Sequence, residues 1–181
     1  MDLTEKTLES QRLFTGRIIN LCLDKALLPD GSVANRELVQ HPGGVSVAAL
    51  TENNEIYMVR QFRYPYQQVL LELPAGKLEK GEDPFEAVKR EQKEETGTIG
   101  QSYQYLGDIY PTPGYVDEII HLWACRVSGK GSMHLDDDEF LEVEKVPLEQ
   151  AVSMVLQNQI PDAKTQIGIL KTYFLVQKGA L

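Results

Sequence analysis

The run from Gly76 to Thr98, GKLEKGEDPFEAVKREQKEETGT, constrains this chain more than any other stretch. Asp83 followed by Pro84 is a helix start, with Asp as the capping residue and Pro at the first helical position, and Gly97 is a helix stop. Between them Glu91, Glu94 and Glu95 stand at i, i+3 and i+4. At about 100° per residue these three share one face, where their oxygens can converge on a hard divalent cation. Clustered anions repel unless something positive sits among them, and an all-oxygen set favours Mg²⁺ or Mn²⁺ over zinc. Phe85 and Val88 form the apolar stripe that seats the helix on a core, and Gln92 continues it, so its amide needs a hydrogen-bond partner or must bend toward solvent. Acidic helices often merely decorate a solvated surface, with Glu86–Arg90 or Arg90–Glu94 as ordinary helical ion pairs.

Gly, five residues, Glu, seven residues, then Arg-Glu-U-x-Glu-Glu-x-Gly-U, with U bulky and aliphatic, is the Nudix box, and the segment resembles it closely. Gly76, Glu82, Arg90, Glu91, Glu94, Glu95 and Gly97 fall in register, while Gln92 and Thr98 depart at the two U positions. The departures touch helix packing and no ligand position. Flanking residues resemble the ADP-ribose pyrophosphatase branch of that family: Gln61-Phe62-Arg63-Tyr64-Pro65, Glu72-Leu73-Pro74-Ala75-Gly76 and Tyr110-Pro111-Thr112-Pro113-Gly114, with Pro113 fifteen residues beyond Thr98. A Pro-Gly pair is also an ordinary turn signal.

The resemblance implies an α/β (α+β) fold with a mixed sheet, the Nudix-type α/β/α sandwich, carrying a small N-terminal antiparallel β subdomain. It implies residues 1–42 as an N-terminal β-strand region serving dimerisation and substrate, and 43–181 as the hydrolase domain. It further implies a Mg²⁺-dependent cut of ADP-ribose into AMP and ribose 5-phosphate, with Mn²⁺ as the alternative ion. Glu91 and Glu95 would be the ligands, assisted by Glu94 and the Ala75 carbonyl and supported by Glu82, with Arg90 orienting the acids through its fixed fork of donors. For the general base the loop His134-Leu135-Asp136-Asp137-Asp138-Glu139-Phe140 offers Glu139 first, then Asp138 and Asp137, with Glu94 in the box competing. By the same resemblance Arg63 reads phosphate, Arg36 and Glu118 are further substrate contacts, and the family forms homodimers with exchanged N-terminal strands. Phe14 or Tyr115 would stack on adenine unless each is a core residue. Two rival readings remain: the same chemistry on another nucleoside diphosphate sugar, and a nucleotide-sensing domain without turnover, against which the intact acids stand.

Composition narrows the partners. With 181 residues and 42% hydrophobic content the chain can bury a core. Net charge −9 argues against nucleic acid as partner. The charged start MDLTEKTLES and the lack of a long apolar run read as a cytoplasmic chain without a membrane span. Cys22 and Cys125 lack metal spacing and read as buried free thiols, and His41, His121 and His134 are scattered.

The remaining punctuation predicts a hairpin from Arg17 to Gln40 around Pro29-Asp30-Gly31-Ser32, then strands at 45–50, 56–62, 69–73, 103–109, 119–127 and 140–146. Helices are expected at 148–157 and 163–176.

Overall fold

A computed structural model describes residues 2–135 and 139–181; Asp137 and Asp138 therefore lie outside the described residues. The chain forms two compact units, Met1–Gly43 with Tyr110–Ile119, and Gly44–Ile109 with Ile120–Leu181.

In the first unit three strands, β1 (Lys6–Thr15), β2 (Asn20–Leu27) and β3 (Val33–Gln40), make an antiparallel sheet in that order. The expected hairpin is its β2–β3 half; Asp30 caps the connecting turn by accepting from the Ser32 amide at 2.9 Å. Strand β1 extends that hairpin by adding a third strand along β2. Every residue of β1 is exposed, so no apolar alternation announces it.

In the second unit the strands are β4 (Gly44–Leu50), β5 (Glu55–Arg63), β6 (Gln68–Glu72), β7 (Ala75–Lys77), β8 (Thr98–Ile109), β9 (Ile120–Lys130) and β10 (Leu141–Pro147). They form a mixed sheet, β10-β5-β4-β9-β8, with β6 on β5 and β7 on β4. Strand β4 runs parallel to β9 and is buried along its whole length. Burial on both faces is what an uninterrupted apolar run such as GVSVAAL demands. Its residues alternate between two cores. Ala48 and Leu50 pack with Ile56, Met58, Leu73, Ile160 and Ile169 on the side of α2 (Leu148–Leu156) and α3 (Ala163–Gln177), where Leu148, Ala151 and Val155 join them. Val45, Val47 and Ala49 pack with Ala87, Val88, Trp123 and Cys125 on the side of α1 (Pro84–Thr96). Each fully buried Val, Leu or Ile contributes roughly 1.5–3 kcal/mol, so one core fixes α2 and α3 against the sheet and the other fixes α1. The layers are those of an α/β/α sandwich. Among the described residues no helix is long and apolar enough to cross a membrane.

Both ends of α1 follow from its sequence. Asp83 accepts from the amides of Phe85 at 2.9 Å and Glu86 at 3.1 Å, and Gly97 closes the helix in the left-handed region at φ 62°. Phe85 departs from the expected core stripe: it is 39% exposed and meets Tyr103 edge-on at 5.3 Å.

Candidate active site

The acids of α1 are gathered by one arginine. Arg90 donates through Nε and Nη2 to Glu82 at 2.9 and 3.0 Å, and through Nη1 to Glu91 and Glu94, both at 2.8 Å. Its planar fork thus ties the loop before the helix to two acids of the helix face. Glu82 also accepts from the Glu79 amide at 2.9 Å, and with the Arg90 hydrogen bonds this holds its carboxyl below the usual range.

Strand β7 supplies the opposing wall. The Ala75 amide donates to Glu95 Oε2 at 2.9 Å. Beside it Gly76 presents bare backbone to Glu91: a Cβ there would stand 1.9 Å from Glu91 Oε1 and 2.3 Å from Oε2. Only glycine leaves space for that carboxylate. Glu95 is 2% exposed and the Glu91 side chain 13%. Burial pushes Glu95 up to about 8 against the pull of the Ala75 amide, with the negative charges of Glu139 and Glu91 adding to the rise. Burial likewise pushes Glu91 up to about 7, opposed by Arg90 and assisted by Glu94 and Glu139. These buried anions have one guanidinium among them, which suits a divalent cation. Among the described residues no three acidic, histidine or cysteine side chains already converge as a metal cluster, since Glu91 and Glu94 lean on Arg90 and Glu95 on Ala75.

Glu139 joins the group electrostatically and accepts from Gln61 Nε2 at 3.0 Å, an anchor on β5 that sequence reading did not single out. Asp138 lies outside the described residues. Arg63 is seated on a partner within the protein: Nε and Nη2 donate to the buried Glu72 at 2.8 and 2.7 Å, while its side chain keeps 36% exposure. Glu72 also accepts from Lys164, which in turn donates to Asp162 at 2.9 Å. Lys164 and Asp162 escaped the sequence reading, which held Glu72 only as part of the Glu72-Leu73-Pro74-Ala75-Gly76 resemblance and gave it no role. The available signal was one charged residue inside the apolar strand ending at Leu73.

Arg36 and Glu118 belong to the first unit. Arg36 forms a bidentate pair with Glu5 at 2.8 and 2.7 Å, and Glu118 stands 3.5 Å from His41 Nδ1. Phe14 and Tyr115 are in the same unit and both exposed, at 56% and 57%, so neither is a core residue there. Cys22 and Cys125 are buried free thiols, as expected.

The family model described as NUDIX domain matches residues 40–167, and the one described as nucleoside diphosphate sugar hydrolase N-terminal domain matches residues 5–39. The chain is 41% identical to a methanol dehydrogenase activator of Bacillus methanolicus over 91% of this chain and 90% of that one. It is also 41% identical to an ADP-ribose pyrophosphatase of Bacillus subtilis, covering 92% and 91%. An ADP-ribose pyrophosphatase of Mycobacterium tuberculosis is 33% identical over 93% and 83%. A crystal structure of an ADP compounds hydrolase superposes over the full length of both chains with TM-score 0.84 at 16% identity, a likeness of fold.

Proposed function

The chain belongs to the Nudix family, and on that premise we propose that it hydrolyses the pyrophosphate bond of ADP-ribose, giving AMP and ribose 5-phosphate. The observation that carries this reading is the face of carboxylates clamped by Arg90 against the bare backbone of Gly76. Glu91, Glu95 and Glu94, with the Ala75 carbonyl and Glu82 in support, are the groups that would hold Mg²⁺, or Mn²⁺ in its place. Such an ion, when bound, neutralises phosphate oxygens and lowers the pKa of water.

Each residue then has a defined task. Arg90 holds the acid side chains in one orientation, so little reorganisation remains at the moment of reaction. Gly76 keeps the wall low enough for Glu91 to sit against it. Arg63 points donors at pyrophosphate oxygens from the Glu72 seat. Water oxygen bonds to one phosphorus as the bridging P–O bond breaks, and the departing phosphate takes the electron pair. The water proton passes to a carboxylate, for which Glu139 is our first choice, ahead of Asp138 and of Glu94. Arg36 and Glu118 are proposed as substrate contacts from the N-terminal region, residues 1–42, and the loop before residue 119.

The wider class of nucleoside diphosphate sugars is the second reading, favoured by the description of the N-terminal match and by the GDP-mannose pyrophosphatase of Yersinia enterocolitica, 33% identical over 72% of this chain. We also propose a homodimer with exchanged N-terminal strands, supported by exposed Leu8, Leu13 and Phe14 on β1 and by the exposed Phe62–Val69 pair and exposed Phe140 on the second unit. Buried free thiols suit a reducing cytoplasm.

The test is a panel of ADP-ribose, ADP-glucose and GDP-mannose with Mg²⁺ or Mn²⁺, products resolved by chromatography. AMP and ribose 5-phosphate should accumulate, with Glu95→Gln slowed about 10³-fold and Glu139→Gln about 10²-fold. Faster turnover of another sugar would move the substrate assignment. Binding without any product would replace the enzyme by a sensor.

A further inference from the structure

Beyond the acid face lies a second charged assembly, buried at its centre. Arg63 on β5, Glu72 at the end of β6, Asp162 at the N-cap of α3 and Lys164 in its first turn form one connected set. Glu72 is 1% exposed and Lys164 9%. Lys164 and Arg63 share the same Glu72 oxygen, Oε2, while Glu72 Oε1 accepts from Arg63 Nε. Asp162 caps α3 by accepting from the Thr165 amide at 2.9 Å and holds the other side of the Lys164 ammonium.

Buried ions contribute little to stability compared with apolar side chains of the same size, so the set calls for a reason besides folding. Its position supplies one. Glu72 stands three residues before Ala75, whose amide binds Glu95, and Arg63 lies close enough to Glu95 for their charges to interact. The Leu73 amide between them donates to Thr165 Oγ1 at 2.9 Å, so the first turn of α3 holds both the arginine's seat and the strand leading to the acids. Arg63 uses its Nε–Nη2 edge on Glu72, so Nη1 takes no part in that pair and can serve a second anion. With two cations and two carboxylates the set is neutral, and its positive, half-open end is Arg63.

Resting on the diphosphate reading above, we infer that Lys164 is a positioning residue for diphosphate recognition. By drawing part of the Glu72 carboxylate to itself it leaves the Arg63 guanidinium cationic toward the substrate. Asp162 moderates that effect from the other side. Without Lys164, both Glu72 oxygens would be left to neutralise Arg63. Without the Asp162 charge, Lys164 would draw Glu72 more strongly and leave Arg63 more cationic.

Those opposite signs are the test. Calorimetric Kd values for the non-hydrolysable α,β-methylene analogue of ADP-ribose are measured for wild type, Lys164→Met, Asp162→Asn, Arg63→Ala and the Arg63→Ala/Lys164→Met double variant, alongside kcat and KM for ADP-ribose. Lys164→Met should weaken binding about tenfold, with the loss falling on KM more than on kcat. Asp162→Asn, which keeps a capping side chain, should tighten binding about two- to threefold. The double variant should bind no more weakly than Arg63→Ala alone, because Lys164 acts through Arg63. Additive losses in the double variant, or weakening by Asp162→Asn, would overturn the inference; if Lys164→Met does not fold, the Asp162→Asn result decides. Wild-type binding and cleavage with no change in either single variant would sink the role of Lys164 and leave the function standing. Wild type that neither binds the analogue nor cleaves ADP-ribose would sink both.

Discussion

At the scale of single residues the site is built from groups that fold at a disadvantage. Gly76 is the sharpest case, since a methyl group would stand on top of the Glu91 carboxylate. Gly76→Ala should therefore leave a folded protein by circular dichroism while lowering kcat about 100-fold, because a displacement of about 1 Å in a reacting constellation costs that much. Glu95 makes the complementary point. Burial pushes its carboxyl up to about 8, so the ionised form strains the fold. Glu95→Gln keeps an oxygen for the Ala75 amide and discards the charge; in chelator-treated protein its Tm should exceed that of wild type, measured by calorimetry, even as turnover is lost. The positions of Glu91, Glu94, Glu95 and Arg90 were legible in the sequence because helical spacing is a fixed geometry. The joining of Glu72 to Lys164 and Asp162 was not, since residues 92 apart in sequence meet only through tertiary packing.

Among the elements, α1 shows how two departures from a pattern can answer each other. Gln92 and Thr98 occupy the two positions where bulky aliphatic residues are expected, and both are buried. Gln92 Nε2 donates to Thr98 Oγ1 at 3.0 Å, and Gln92 Oε1 accepts from the Tyr103 hydroxyl at 2.7 Å and the Cys125 thiol at 3.3 Å. The amide thus found its partners in the interior instead of bending to solvent. Burial pushes the Cys125 thiol up to about 12, which keeps it unreactive. Thr98→Val and Gln92→Leu should each destabilise by about 1–3 kcal/mol in urea unfolding, by stranding buried polar groups. The double variant should lose less than the sum of the two, since each removes the other's orphan. Most elements could be read from caps and apolar periodicity, as Asp83, Gly97 and the run of β4 illustrate. Strand β1 could not, because an exposed strand has no buried face to mark its period, and β7 is only three residues long.

For the molecule as a whole, the acid limb of stability should trace to the assembly around Glu72. Burial alone would raise its carboxyl, but the Arg63 hydrogen bonds and the charges of Lys164 and Arg63 outweigh that and bring it down to about 2. A depressed carboxylate adds stability that is complete above its ordinary value of 4.5 and disappears as pH falls toward 2. Urea unfolding should therefore show a steady decline in stability across that window. Glu72→Gln should be less stable than wild type at neutral pH and show a shallower decline. The same assembly joins the end of β6 to a helix that is synthesised much later. Arg63 and Glu72 thus precede in the chain, by a long interval, the lysine that completes their charge balance. Residues 92 apart must therefore meet before the charges around Glu72 are balanced, so this assembly closes only once α3 has packed.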